Sequence, residues 1–373
     1  MILPIGPVVR ITPDEIHLSD PENYDKIYYV GSKYAKSPNF YNAMCVPAST
    51  FGTISYEVHR IRRGAINPMF SRKMVLELES VVQDKARKVC NRMQAGIEKG
   101  EPVDLHHAFR SVSIDVISDF AFDKSYEFLD KDDLGEYFFR TMRGVGPALW
   151  AFQQFPSLQA VALRMPPWLA PYLSESLAMI MSMQQEGVKQ VEDLKKRMET
   201  EKLAEERPTI FTTLLSEEDK PDGYRIPSTM ELKDEAYSIL GAAADTTGNA
   251  MTVAAFNVMR TPQIYQKLVQ ELAKAFPDSN AELSFIELER LPYLASLPAL
   301  LTLSLSPHHV SNKLRSTLDR LYQRSSPALL RRHWPPPPGR PGPWRHIQRL
   351  FRAGWYNRRH VVLAHASQPR YFP

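Results

Sequence analysis

The sequence predicts a mainly helical fold with a small accessory sheet near its amino terminus, and three patterns carry that prediction. Across 74–99, Leu78, Val82, Ala86, Val89, Met93 and Ile97 recur at intervals of three and four residues, the period of one helix face, and Gly100 suits the end of such a helix. Comparable helical patterns cover roughly 104–122, 131–151, 173–200 and 229–260. Against these stands one β-branched stretch, Val8 to Thr12, introduced by Pro4 and Pro7, which reads as a short strand.

The remaining elements follow in order along the chain. Pro13-Asp14-Glu15 opens a turn or a short helix after the strand, and Pro166-Pro167 before Trp168 marks a loop between two helices. Thr261 followed by Pro262 is an N-cap and first-turn pair for a helix ending near Ala275. No internal repeat is visible. Hydrophobic residues at 43% and charged residues at 24% supply enough apolar material for a sizeable core, which excludes wholesale disorder. A length of 373 residues fits one large domain or two to three smaller ones. Cys45 and Cys90 are the two cysteines, so neither a disulfide framework nor a zinc spacing is implied, and a reducing, cytoplasmic setting is expected. No run of 18 apolar residues is present, and the opening Met1 to Pro7 is too short for a signal peptide or anchor.

The formal net charge of +4 averages two unlike segments. Residues 1–294 hold 33 Lys and Arg against 41 Asp and Glu; residues 295–373 hold 12 Arg and Lys313 against the single acid Asp319. The second segment also contains eleven of the prolines and no glutamate, and its run from Pro335 to Pro343 excludes helix and central strand. Residues 295–373 are therefore read as a basic Pro/Arg-rich tail, not packed and of out-of-frame or intron-derived origin, with a boundary at 294/295. Arg332 to Pro338 fits an SH3-ligand pattern, but such matches arise easily in an Arg- and Pro-rich segment. The arginines with Trp344 and Trp355 would suit nucleic acid by composition; with no module fold around them, no nucleic-acid partner is expected. His308, His309, His360 and His365 lack a metal-site spacing.

Two stretches carry chemistry. In Gly241-Ala242-Ala243-Ala244-Asp245-Thr246-Thr247, an acid and two hydroxyls interrupt a helical pattern of small and apolar residues. Small residues let a bulky group lie against the backbone, and an acid beside an alcohol can relay protons into a pocket that excludes water. The alternative is a helix-packing seam with Asp245 solvated. In His59-Arg60-Ile61-Arg62-Arg63-Gly64-Ala65-Ile66-Asn67-Pro68-Met69-Phe70-Ser71, clustered cations near a helix start make either a solvated face or an anion site.

Together these stretches resemble the cytochrome P450 family, in its fungal form. The first resembles the oxygen-activation motif, with Asp245 and Thr246 as its acid and alcohol and Ala243 where the family usually has glycine. The second resembles the helix that contacts the heme propionates, with His59 and Arg63 in the contacting places; an arginine there pairs a carboxylate. Three further stretches agree in order: Gly6 to Ile11, Asp115-Val116-Ile117 through Phe120 to Asp123, and Leu291-Pro292-Tyr293-Leu294. The resemblance covers residues 1–294. It implies the cytochrome P450 fold, incomplete at both ends, a heme cofactor, and NADPH-cytochrome P450 reductase as partner. The implied reaction is oxygenation of a small lipophilic secondary metabolite, a terpenoid or polyketide. Phe40 to Thr53 and Met142 to Pro171, with Trp150, Phe152 and Phe155, resemble substrate-facing regions, although plain core packing would also explain those aromatics. Family members usually sit at the endoplasmic reticulum membrane.

The family pattern continues into Glu-x-x-Arg and a cysteine loop, whereas Ala295-Ser296-Leu297-Pro298 follows here and no later cysteine occurs. That cysteine supplies the axial thiolate. Glu287 to Arg290 spells Glu-x-x-Arg but precedes the tetrapeptide, and is read as accidental. Cys90 adjoins the apolar stripe and is read as a buried core thiol; Cys45 falls in the substrate-facing region. The 373-residue chain is accordingly expected to be inactive, and a non-catalytic remnant or an interaction protein using its tail are the rival readings. Reading the genomic DNA beyond codon 294 in all frames, and with an intron removed, is expected to restore Glu-x-x-Arg and a cysteine loop. If no reading does, the out-of-frame origin of the tail is wrong.

Overall fold

The computed structural model describes residues 7–29, 31–32, 34–122, 124–200, 207–278, 283–297 and 363–365. It divides into two compact units, Met1–Ser37 with Ala299–Pro373, and Pro38–Pro298.

In the first unit, β1 (Val8–Thr12) and β2 (Glu15–Leu18) form an antiparallel hairpin, followed by α1 (Glu22–Ile27). The strand expected at Val8 to Thr12 is present. The turn expected at Pro13-Asp14-Glu15 is present at Pro13 and Asp14, and Glu15 already begins β2, because the backbone groups of β1 find their partners there: Val8 faces Leu18 and Arg10 faces Ile16. Arg10 Nη1 donates to the Pro13 carbonyl at 2.6 Å and braces the turn. From the tail, β3 (Leu363–His365) is antiparallel to β2 and gives the strand order β1-β2-β3. The SH3-ligand-like stretch and His308, His309 and His360 lie outside the described residues.

The second unit is helical. Its elements are α2 (Pro38–Asn42), α3 (Tyr56–Ile66), α4 (Arg72–Glu77), α5 (Glu79–Lys99), α6 (Leu105–Phe122), α7 (Glu136–Arg143), α8 (Gly146–Gln154) and α9 (Pro156–Arg164). There follow α10 (Ala170–Leu173), α11 (Glu175–Thr200), α12 (Ile210–Leu215), α13 (Thr229–Arg260), α14 (Pro262–Ala275) and α15 (Phe285–Leu288). Residues 292–297 are helical, and the first free N–H groups there, those of Tyr293 and Leu294, donate to the Glu271 carboxylate at 2.9 and 2.8 Å.

α13 is the spine. Ser228 and Glu231 close a capping box at its start. Leu232, Ala236, Leu240, Ala244 and Gly248, four residues apart, form its buried ridge. The ridge narrows from Leu240 through Ala244 to Gly248 for a reason. A Cβ on Gly248 would lie 2.7 Å from Arg110 Cα and 2.9 Å from Arg110 N, so α6 and α13 cross there with their backbones nearly in contact. Around the crossing the core gathers Ile114, Phe139, Phe211, Leu232 and Leu240, with Phe122 and Phe211 stacked at 4.5 Å.

The helices expected at 104–122, 173–200, 229–260 and from Pro262 to Ala275 are present. Other expectations are corrected. The 131–151 pattern is two helices, broken at Gly144, because Pro147 has no N–H to carry a helix through and instead sits in the first turn of α8. The 74–99 helix breaks at Leu78, and only part of the apolar stripe is buried: Val82 is 44% and Ile97 73% exposed, while Leu78 and Val89 of the stripe are buried together with Lys85 and Gly96. Polar anchoring rotates the helix. Lys88 pairs with Asp130 at 2.6 Å, and Arg92 Nη1 donates to the carbonyls of Leu129 and Lys131 at 2.6 and 2.8 Å. Cys90 follows the buried Val89 by one residue, about 100° round the helix, and is exposed rather than buried in the core. Gly100, at φ 71°, ends α5 as expected. Thr261, however, makes no side-chain cap bond to α14.

Gly248→Ala should destabilise the protein by about 1–3 kcal/mol, the cost of overpacking a tight contact, while Gly146→Ala, with open space at the new methyl, should be near neutral. Urea unfolding of the two variants checks this; equal midpoints would refute the close crossing.

Candidate functional site

The acid-alcohol stretch lies in the middle of α13. Ala242, Thr246, Asn249 and Ala250 are exposed on one side of the helix, and Ala244 and Gly248 are buried against α6 on the other. Thr246 Oγ1 donates to the Ala242 carbonyl at 3.0 Å, a bond along its own helix that leaves the hydroxyl oxygen on the open side. The Ala243 carbonyl accepts from Ser113 Oγ at 2.7 Å, which ties the motif to α6.

Asp245 is not simply solvated. Its Oδ1 accepts from Arg110 Nε at 2.5 Å; the Arg110 side chain is 3% exposed and that of Asp245 50%. Arg110 Nη1 lies 3.0 Å from His106 Nδ1 and donates to the His106 carbonyl at 3.1 Å. Arg143 Nη1, on α7, lies 3.0 Å from His106 Nε2. No motif in the sequence marks Arg110, His106 or Arg143. The signal was there for Arg110, which falls on the buried stripe of α6 with Ile114, Ser118 and Ala121. A cation on a buried stripe needs a counter-charge from another element.

The second stretch forms α3, whose first turn is capped by Ser55 accepting from the Val58 N–H. His59, half-buried, and Arg63, exposed, are one turn apart and share a face. The Arg63 guanidinium lies 5.2 Å from the Phe70 ring centroid. Arg62 turns inward, donating to Thr53 Oγ1 at 2.8 Å, to the Ala48 carbonyl, and to Glu231 Oε1 at 2.6 Å. Burial would raise the Glu231 carboxyl, yet its bonds to Arg225 and Ser228 hold it down to about 2. α3 therefore joins α13 at its first turn. Asp245 stands fourteen residues further on, about 21 Å along the axis.

The acids next to Glu231 hold the 46–53 segment. Ala48 N–H donates to Asp234 Oδ2 at 3.1 Å and Thr50 N–H to Glu235 Oε2 at 2.5 Å, with burial pushing the Glu235 carboxyl up. The aromatics assigned to substrate-facing regions are not core: Trp150 is 62%, Phe155 56% and Phe51 45% exposed, and Phe152 is half-buried. Cys45 has a positive φ of 57° and its thiol is pushed up to about 11 by burial and by Asp234, so it stays protonated near neutrality.

The residues present fit part of a heme site. Small residues and the Thr246 hydroxyl line an open helix face, and paired cations suit carboxylates. Of the two cysteines, Cys45 is half-buried with its thiol pushed up to about 11, and Cys90 sits on the exposed side of a regular helix. Among the described residues no three His, Cys, Asp or Glu side chains cluster to hold a metal ion, and no helix is long and apolar enough to cross a membrane.

The family model for cytochrome P450 matches residues 20–297. The chain belongs to the cytochrome P450 family. This P450 is 29% identical over 293 residues to the cytochrome P450 monooxygenase macH of Penicillium terrestre, covering 79% of this chain and 57% of that one. It is 30% identical over 338 residues to the cytochrome P450 monooxygenase tpcC of Cochliobolus heterostrophus, covering 90% and 63%. Its fold resembles the crystal structure of a cytochrome P450 (CYP102L1) with a TM-score of 0.59 at 14% identity, over 77% of this chain and 59% of that one. The chain thus spans about three fifths of the length of the relatives it matches.

Asp245→Asn and Arg110→Met should each destabilise this P450 by about 1–3 kcal/mol, less than a fully buried pair because Asp245 is half exposed. The double variant should cost clearly less than the sum. Additive losses in urea unfolding would mean that the 2.5 Å contact contributes nothing.

Proposed function

We infer that residues 1–294 are the larger part of a heme-dependent monooxygenase domain acting on a small lipophilic secondary metabolite, with 295–373 a separate tail. The observation that carries this reading is the middle of α13, where an ion-paired Asp245 precedes Thr246 on a face of small residues. His59 and Arg63 would hold the heme carboxylates, by charge-assisted hydrogen bonds, and Ala243, with Ala242, would let the flat group approach the helix. When bound, heme supplies oxygen activation, for which an axial thiolate is needed.

Around that group the chain's own side chains have distinct work. Arg110 holds the Asp245 carboxylate in one orientation, so the acid can accept and return a proton without swinging away. The Thr246 hydroxyl, bonded at one side to Ala242, presents its oxygen where the substrate pocket would lie. Exposed Trp150 and Phe155 and half-buried Phe152 would give that pocket apolar walls, which is what favours a lipophilic substrate. Electrons would come from an NADPH-dependent reductase, as in the family generally. The 373-residue chain by itself is proposed to lack a heme-thiolate centre, since neither Cys45 nor Cys90 suits the ligand's role.

Two proteins test this: the 373-residue chain, and residues 1–294 joined to the corresponding remainder of a macH-like relative. With heme added, reduced and exposed to carbon monoxide, the chimera should give the thiolate-type Soret band and the 373-residue chain should not. In the chimera, Thr246→Ala should divert NADPH electrons to peroxide, and Asp245→Asn should slow turnover about tenfold or more. A thiolate band with NADPH-dependent product from the 373-residue chain would make Cys45 or Cys90 the ligand. Unchanged coupling and turnover in both variants would remove Asp245 and Thr246 from the reaction.

A further inference from the structure

His106, in the first turn of α6, has a guanidinium at each ring nitrogen: Arg110 Nη1 at 3.0 Å from Nδ1 and Arg143 Nη1 at 3.0 Å from Nε2. A guanidinium only donates. A neutral imidazole has one bare nitrogen and one N–H, so it can serve one of these cations, and an imidazolium can serve neither. Arg110 needs it more. Its side chain is 3% exposed, out of reach of bulk water, whereas Arg143 is exposed and can be met by solvent. The bare nitrogen is therefore Nδ1 and the proton sits on Nε2.

We propose that His106, as a neutral Nε2–H imidazole, is a positioning residue that holds the Arg110 guanidinium against Asp245. The functional meaning rests on the reading of Asp245 as the acid of the oxygen-activating pair. The guanidinium is planar and rigid; with Nε on Asp245 and Nη1 on His106 Nδ1 and on the His106 carbonyl, it cannot turn without breaking both ends. Protonating His106 would put three cations in a row, Arg110, His106 and Arg143, beside the one carboxylate of Asp245. The other groups facing the ring are His107, edge-on at 5.0 Å, and Asp104, whose Oδ1 accepts from the backbone N–H of His106 at 2.8 Å and whose Oδ2 is engaged by His107 Nδ1. Burial, then Arg110, His107 and Arg143, lower the proton affinity of His106 from the ordinary 6.5, with Asp104 opposing. The unfolded chain then takes up the proton first. Stability should be fully present above 6.5 and decline as the pH falls below it.

The 373-residue chain, labelled with 15N in its histidine rings, tests this without heme, with His106→Gln assigning the resonance. The folded protein should show a bare Nδ1, a protonated Nε2 and a titration midpoint below 6.5. Arg110→Met should raise that midpoint and release the tautomer. His106→Gln keeps an acceptor and cannot titrate, so its urea midpoint should fall less than the wild type's between about pH 7.5 and about pH 5.5. In a double-mutant cycle, His106→Ala and Asp245→Asn should be coupled at the higher pH and additive at the lower. A proton on Nδ1, a midpoint at or above the ordinary value, parallel urea midpoints for wild type and His106→Gln, or additivity at both pH values would overturn the proposal. Should Arg110→Met not fold, the other readouts decide it. None depends on heme, so a failed carbon monoxide spectrum would count against the functional reading alone, and an ordinary His106 titration against this proposal alone.

Discussion

The crossing of α6 over α13 is the constraint on which the rest of the helical unit depends. Gly248 leaves out the one atom that would keep the Arg110 backbone away. With the helices that close, Ser113 reaches the Ala243 carbonyl and Arg110 reaches Asp245, so the acid of the motif is fixed by contacts that exist only at this separation. The approach brings a cost with it: Arg110 becomes a buried cation, and a buried cation is tolerated only with a carboxylate and further acceptors at hand. Asp245 and His106 fill those roles. A packing requirement and an electrostatic requirement are thus met by the same few residues.

α13 does different work along its length because a helix of 32 residues shows different neighbours at each turn. Its first turns are acidic and hold other segments in place: Glu231 takes Arg62 of α3, while Asp234 and Glu235 take backbone N–H groups at Ala48 and Thr50. Its middle packs by a ridge that narrows from Leu240 to Gly248 and leaves Ala242, Thr246, Asn249 and Ala250 open on the far side. The stretch resembling a substrate-facing loop and the helix bearing His59 and Arg63 are therefore positioned from one end of the same helix that carries Asp245 and Thr246 further on.

Charged side chains that satisfy backbone groups recur through the unit. The buried Asp115 accepts from the N–H groups of Phe128 and Leu129 at 2.8 and 3.0 Å, which accounts structurally for an acid in the Asp115-Val116-Ile117 stretch. Glu271 does the same for the helix starting at 292, and Arg92 serves the carbonyls of the 129–131 turn. Each such bond joins residues distant in sequence, and an unmet backbone group in a buried place is expensive. That is enough to override a weak apolar stripe, as α5 illustrates by burying Lys85 while Val82 and Ile97 face outward.

The amino-acid sequence by itself determined the helical class, the span of α13, the strand at Val8 to Thr12 and the end of α5 at Gly100, since periodicity, capping residues and glycine at positive φ act over a few residues. It also marked Asp245, Thr246, His59 and Arg63 by motif, and put them in family order. What only the tertiary structure decided is what each side chain meets. Arg110 on Asp245, His106 between two arginines, Arg62 on Glu231 and the outward face of α5 all depend on elements brought together from far along the chain. Helix periodicity says that a face exists; which neighbour covers it, and how a charge on it is answered, follows from how closely the backbones approach, and at Gly248 that distance is set by a missing methyl group.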